Sequence, residues 1–423
     1  MFLFSLTLIT KVLQSFPIIQ FENLIDNLSS MVYSIVMLIQ RSIENTLTRS
    51  LAKFPILGLV GPRQSGKTTL LKNLFPNFSY VNMEDLELRE FAETDPKGFL
   101  ETHKSPLIID EAQRVPKLFS QLQVVVDQKK QLGRYILSGS QNFLLMENIS
   151  QSLAGRISIQ TLLPMSHQEI SKARFSIKQY SELIFRGQYP RMYQKPTLEP
   201  HEFYNNYIST YIERDLRQLI NVTDLATFQR FLKLCAGRVG QEINYSSLAQ
   251  DAGITHNTAK AWLSVLETSF ITFQLQPYYK NFNKRLVKSA KLYFYDTGLA
   301  TWLLNIDEEN QLQSHFAIGG LFENLIISEY LKNRFNQGLR PKGYFWRDQQ
   351  QKEVDLILDV NSPIGIEIKA GKTISSDYFS NLLYLSGIVD TKPALKVIYG
   401  GDSFQDRSGI QVLPWSRMNE AWS

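Results

Sequence analysis

The 423-residue chain has a single cysteine, Cys235, and only five histidines. The first excludes an intrachain disulfide and the second argues against a histidine-rich metal site, so a reducing, cytoplasmic setting is expected. Long apolar runs are also missing. The opening stretch MFLFSLTLI has neither the basic segment nor the small-residue cleavage site of a secretory leader. The run VYSIVMLI at 32–39 falls far short of the roughly 20 residues that span a bilayer, so no membrane partner is expected. Charge of one sign is weak: a net +5 and a pI near 8.9 permit contact with nucleic acid without requiring it. There is no internal repeat and no low-complexity tract. What is present is an ordinary folded composition, 43% hydrophobic and 20% charged, long enough for two to four domains.

The most informative stretch is ILGLVGPRQSGKT at 56–68. An apolar strand breaks into a loop bounded by Gly61 and Gly66, and Lys67 and Thr68 open the helical run TTLLKNLF. Glycines let the backbone curl so that successive N–H groups face one anion, and the positive end of the following helix points the same way. The spacing is that of a Walker A phosphate-binding loop. Gly61, Pro62, Arg63, Gln64, Ser65, Gly66, Lys67, Thr68 and Thr69 are its candidate nucleotide-binding residues. Lys67 suits the β- and γ-phosphates, and the Thr68 hydroxyl suits Mg²⁺. A chance Gly-rich turn lacks the strand before and the helix after.

Residues 37–53 read as a helix leading into the loop's strand, and four more strand-like runs follow at 80–84, 106–111, 134–140 and 157–163, with helical stretches at 86–102 and 116–130. Alternating strands and helices predict an α/β fold with a parallel sheet covered on both faces, its ligands at the carboxyl ends of the strands. One such end carries Asp110, suited to the Mg²⁺ shell, and Glu111, suited to orient the attacking water. A strand running into a helix cap reads similarly, but the position about forty residues after the loop favours the catalytic pair. Another carries Ser138 to Gln141, where Ser140 and Gln141 read equally as a γ-phosphate sensor and as turn caps. Arg156 is a candidate arginine finger, in cis or in trans, or else a surface residue.

The order GPRQSGKTTLL, IIDEAQRVP, ILSGSQNFLL, SLAGRI resembles the prokaryotic AAA-type ATPase family that is fused to a C-terminal domain of unknown function, in the division of P-loop ATPases with a catalytic glutamate. The resemblance runs from about Met37 to the C-terminus. It implies ATP and Mg²⁺ as cofactors and the roles already given for Lys67, Thr68, Asp110 and Glu111. Adenine in place of guanine rests on this resemblance, together with the lack of an Asn-Lys-x-Asp run.

Beyond the first domain, 166–235 turns helical, with FRGQYPRMY as a connector and a tyrosine-rich amphipathic helix; it reads as a lid or linker. Residues 236–300 predict a winged helix: SSLAQDAG, a glycine turn, a second helix capped by Thr255, then two strands joined by KNFNKRLVKSAK. On DNA, Lys280, Lys284, Arg285 and Lys288 would meet phosphates. A rigid connector with a solvated wing has equal standing. In the last region, 301–423, the helix FENLIISEYLKNRF, the strand VDLILDV and the strand IGIEIK suggest that Asp355 pairs beside Glu367, with Glu367 and Lys369 on one face and Glu323 nearby. Three carboxylates and a lysine so placed suit one or two metal ions, with Glu323, Asp355 and Glu367 as ligands. The pattern resembles the PD-(D/E)xK restriction-endonuclease-like superfamily, with Val354 where its proline usually stands. An amphipathic hairpin with one polar face is the plainer alternative. Residues 1–36 read as an extension, either loosely attached or preceding the true start at Met31 or Met37. Partners expected from the whole are ATP and DNA, or a protein partner or second copy in a nucleotide-controlled scaffold whose nuclease-like domain does not cut.

Overall fold

The computed structural model describes residues 39–140, 152–173, 175–212, 224–278, 289–359, 362–389 and 392–422. Residues from Arg41 onward form one compact unit. Its first part is a five-stranded sheet of β1 (Ile56–Val60), β2 (Ser79–Asn82), β3 (Leu107–Asp110), β4 (Tyr135–Gly139) and β5 (Ile157–Thr161). The strands run parallel in the order β2-β3-β4-β1-β5. Successive side chains on a strand point to opposite faces, and the cores divide accordingly. Ile56, Val60, Ile109, Leu107, Tyr135 and Leu137 join one core, while Leu57, Leu59, Ile108 and Ile136 join the other.

Helices cover both faces, as a buried parallel sheet requires. On one side α1 (Glu44–Leu51) and α2 (Lys67–Leu74) supply Leu47, Leu70 and Leu71. On the other, α3 (Leu86–Thr94), α4 (Pro96–Thr102) and α5 (Pro116–Lys129) supply Ala92, Phe99, Leu118, Phe119 and Leu122. Their starts are legible in the chain: Asp85 accepts the N–H groups of Glu87 and Leu88, and Pro96 and Pro116 occupy the first helical turn.

The connector follows as α6 (His167–Lys172), α7 (Tyr180–Arg186), α8 (Pro190–Gln194) and α9 (Pro200–Tyr207). Then come α10 (Leu225–Ala236), α11 (Tyr245–Ala252) and α12 (His256–Thr268), and the antiparallel pair β6 (Thr272–Leu275) and β7 (Lys291–Phe294). Gly253 closes α11 in the left-handed region and the Thr255 hydroxyl caps α12 by accepting the Thr258 N–H, as the spacing predicts. The basic stretch with Lys280, Lys284, Arg285 and Lys288 lies outside the described residues.

After α13 (Thr297–Leu303) and the 19-residue α14 (Ile318–Asn336), a mixed six-stranded sheet completes the chain. It comprises β8 (Gly343–Arg347), β9 (Glu353–Leu358), β10 (Ile364–Lys369), β11 (Ala394–Tyr399), β12 (Gln405–Arg407) and β13 (Ile410–Pro414), with α15 (Ser380–Ile388) between β10 and β11. Among the described residues no helix is long and apolar enough to cross a membrane.

Candidate functional site

The loop after β1 is shaped by three residues with positive φ, Gly61 (152°), Gln64 (60°) and Gly66 (94°). At Gly61 even one added carbon is excluded, because a Cβ would stand 2.1 Å from the Leu162 carbonyl oxygen. Gly66 is the residue before α2, whose first N–H groups lack partners within the helix. Lys67 is buried, and its ammonium donates to the carbonyls of Gly61 (3.0 Å) and Pro62 (2.9 Å). Burial lowers its pKa to about 8 although Glu111 and Asp110 pull it upward. Ser65 Oγ and Gln64 Oε1 are buried without partners, polar atoms turned toward no protein group in a loop that would otherwise satisfy them.

Asp110 ends β3 next to β4, and its carboxylate accepts from Thr68 Oγ1 (2.6 Å), Tyr80 Oη (2.9 Å) and, in a short contact, Ser138 Oγ. Glu111 follows with φ of 53°, a left-handed conformation that is uncommon outside glycine. Gln113 Nε2 (2.6 Å) and Ser140 Oγ (3.0 Å) donate to its Oε2. The hydroxyl of Thr68 and the carboxylate of Asp110 thus meet beside Lys67, an oxygen pair of the kind that Mg²⁺ takes with phosphate and water. The donor set fits the ion. Tyr80 is a site residue that the sequence offers only as part of a strand, and Ser138, which opens the stretch read as a γ-phosphate sensor, donates to Asp110; Gln141 lies outside the described residues.

Arg156 requires a correction. In the parallel register Ile157 pairs with Ile56 at the start of β1, so Arg156 lies at the amino ends of the strands, roughly 16 Å at about 3.3 Å per residue from the end that carries the loop after Val60. Its guanidinium is held by Asp127 through two bonds of 2.7 Å. It is not a finger in cis.

The second cluster forms where the sequence parity places it. β9 and β10 pair antiparallel with Leu356 opposite Ile366, which sets Asp355 opposite Glu367. Lys369 Nζ lies 2.6 Å from Glu367 Oε1 and 3.7 Å from Asp355 Oδ2, and Asp355 also accepts the Ile368 N–H (2.7 Å). Glu323, on α14, accepts from Tyr293 Oη (2.5 Å) and from Lys291 Nζ (3.0 Å), and Lys291 also reaches Glu353 (2.5 Å). Glu367 Oε2 is buried with no partner. Burial pushes the carboxyls of Glu323 and Glu367 above the usual range.

Convergence of Asp355, Glu367 and Lys369 is therefore observed, but the three-carboxylate metal set is not. Among the described residues no group of three or more His, Cys, Asp or Glu is disposed to hold a metal ion. Glu323 is instead bonded to Lys291, a buried cation that sequence reading placed only on a strand. Lys369 pairs in the same way with Glu367 and Asp355.

Three family models match successive stretches of the chain. Residues 53–171 match the AAA domain family, 177–310 match DUF8612 and 318–418 match DUF4143, both described as domains of unknown function. The uncharacterized proteins Rv2008c of Mycobacterium tuberculosis and Mb2031c of Mycobacterium bovis are each 30% identical over 375 residues, covering 87% of this chain and 82% of theirs. The uncharacterized protein MJ1637 of Methanocaldococcus jannaschii is 25% identical over 417 residues, covering 86% of this chain and 84% of its own. Among solved structures, the Walker-type ATPase paby2304 of Pyrococcus abyssi aligns at 14% identity over 63% of this chain and 96% of that one, with a TM-score of 0.42.

Proposed function

The chain belongs to the family of the mycobacterial proteins Rv2008c and Mb2031c, with an AAA domain at its P-loop, and from that premise we propose that it is a Mg²⁺-dependent ATPase. The observation that carries the reading is the meeting of Thr68, Asp110 and Lys67 at the end of one sheet, with Glu111 one residue on. Lys67 and the N–H groups at the start of α2 bind the β- and γ-phosphates. Thr68 and Asp110 would hold Mg²⁺, which would supply charge to spread over the phosphates. Tyr80 and Ser138 keep the Asp110 carboxylate turned toward Thr68. Glu111, positioned by Gln113 and Ser140, orients a water in line with the γ-phosphorus and takes its proton as the bond to the departing ADP oxygen breaks.

Two substitutions test the separate parts. Lys67→Ala is expected to abolish ATP binding, whereas Glu111→Gln is expected to bind ATP within a few-fold of wild type and lose about 10²- to 10⁴-fold in turnover. ATP binding of the Lys67→Ala protein at wild-type strength in calorimetry would sink the assignment.

For the rest of the chain, the helix pair α11–α12 with the β6–β7 hairpin supports a winged helix, and the Asp355, Glu367 and Lys369 constellation supports a restriction-endonuclease-like fold. Lys291 is the observation that favours a nucleotide-controlled interaction scaffold over a DNA-cutting enzyme, because it takes up Glu323, one of the three expected ligands, in an ion pair. The DNA-docking alternative rests on the basic stretch outside the described residues.

A further inference from the structure

Ahead of α1, Arg41 is a buried arginine with no part in the catalytic scheme above. Its guanidinium makes three bonds to three separate segments: Nη1 donates to the Ser65 carbonyl (2.8 Å), Nη2 to the Leu163 carbonyl (2.8 Å), and Nε to Glu169 Oε1 (3.1 Å). Glu169 is itself enclosed and accepts the N–H groups of Ser42 (2.6 Å) and Ser166 (2.8 Å). Burial alone would raise its carboxyl pKa, but Arg41 and these N–H groups outweigh that and hold it below the ordinary value.

The contact to Ser65 bears on the phosphate loop through the geometry of one peptide. In a trans peptide the carbonyl and the following N–H point in opposite directions. Ser65 carbonyl drawn outward to Arg41 therefore turns the Gly66 N–H the other way, to the concave side of the loop on which Lys67 and Thr68 lie. The glycine that follows does not enforce this orientation. Gly66 sits at φ of 94°, and glycine occupies negative φ equally well, so the Ser65–Gly66 peptide could rotate at little steric cost. Rotated, it would present a carbonyl oxygen to the phosphates in place of a donor.

We propose that Arg41 is a positioning residue that fixes the Ser65–Gly66 peptide in the orientation that binds polyphosphate. An arginine suits the task because its planar fork reaches three acceptors in different directions while keeping its charge when buried; a lysine ammonium cannot span them. The proposal deepens the ATP-binding reading and rests on it.

The test compares Arg41→Met, Arg41→Lys and Glu169→Gln in the full chain, with Lys67→Ala as reference, measuring ATP affinity by calorimetry, tripolyphosphate competition, turnover at saturating ATP and thermal stability. Arg41→Lys keeps a buried positive charge beside Glu169 and serves if Arg41→Met does not fold. Glu169→Gln weakens the ion pair but leaves the two carbonyl contacts. Both Arg41 variants are expected to weaken ATP and tripolyphosphate binding by about 10- to 100-fold, with turnover at saturation within a few-fold, while Glu169→Gln changes affinity less than threefold at a comparable loss of stability. Equal loss of affinity in Arg41→Lys and Glu169→Gln, following stability, would reduce Arg41 to a structural anchor and overturn the proposal. So would unchanged affinity in an Arg41 variant when Lys67→Ala has lost binding. If Lys67→Ala also retains binding, it is the ATP reading that has failed.

Discussion

Lys67 is a cation held where a cation is least favoured. Burial, the largest influence on it, lowers its pKa to about 8, against the upward pull of Glu111 and Asp110. The unfolded chain binds that proton more tightly, so on this account alone stability increases between about pH 8 and the ordinary lysine value near 10.5. Nucleotide binding has the opposite sign. A polyphosphate beside the ammonium favours its protonated form and raises its pKa, which links proton uptake to binding. ATP affinity is therefore expected to be flat below about pH 8 and to weaken by up to tenfold per unit above it. Calorimetric titrations at pH 7 and pH 9.5 check this, and equal affinities at the two would mean that Lys67 keeps its proton without the ligand. Glu111 illustrates the same scale differently: a left-handed φ of 53° at a non-glycine residue aims its carboxylate toward Gln113 and Ser140, and no sequence signal announces such a conformation.

The elements of the P-loop sheet were legible because burial on both faces demands uninterrupted apolar runs: LIID and YILSG are such runs, and their observed ends lie within a residue or two of those expected. The parity of IGIEIK was legible for the same reason, period two being rigid. Arg41 and Lys291 were not, since each acts through partners that only the fold supplies; Glu169 is 128 residues from Arg41. The longest helix among the described residues carries a further instance. On α14, Glu329 and Lys332 are fully buried, and Glu329 accepts from Gln188 Nε2 (2.6 Å), from Lys332 Nζ (3.1 Å) and from the His167 N–H (2.9 Å). The Gln188 side-chain oxygen accepts from Lys332 in turn. This closed set ties α14 to the connector and to the start of α6. Glu329→Ala leaves the Lys332 charge without its ion-pair partner and is expected to cost about 3–5 kcal/mol, whereas Glu329→Met with Lys332→Met is expected to cost less, because both charges leave together. Urea denaturation midpoints decide it; a loss under about 1 kcal/mol for Glu329→Ala would mean that water reaches the site.

At the scale of the molecule, the question is whether the second cluster cuts nucleic acid, and charge balance argues the answer. Lys291 lies on β7, in the part matching DUF8612, while its acceptors Glu323 and Glu353 lie in the part matching DUF4143. Two of the cluster's carboxylates are therefore bonded from a neighbouring part of the fold, and that tie also holds the two parts together. A buried ion pair gives up little when both charges are already bonded, and a divalent cation entering the cluster would have to meet two ammonium groups at close range. Metal binding at Glu323 would then require the Lys291 ammonium to give up its bonds to Glu323 and Glu353 inside a buried site. Supercoiled plasmid incubated with the full chain, ATP and either Mg²⁺ or Mn²⁺ is accordingly expected to remain intact while ATP is consumed. Nicking that disappears in Glu367→Gln, with ATP turnover unchanged in that variant, would restore the cutting role and mean that Lys291 leaves the cluster in solution.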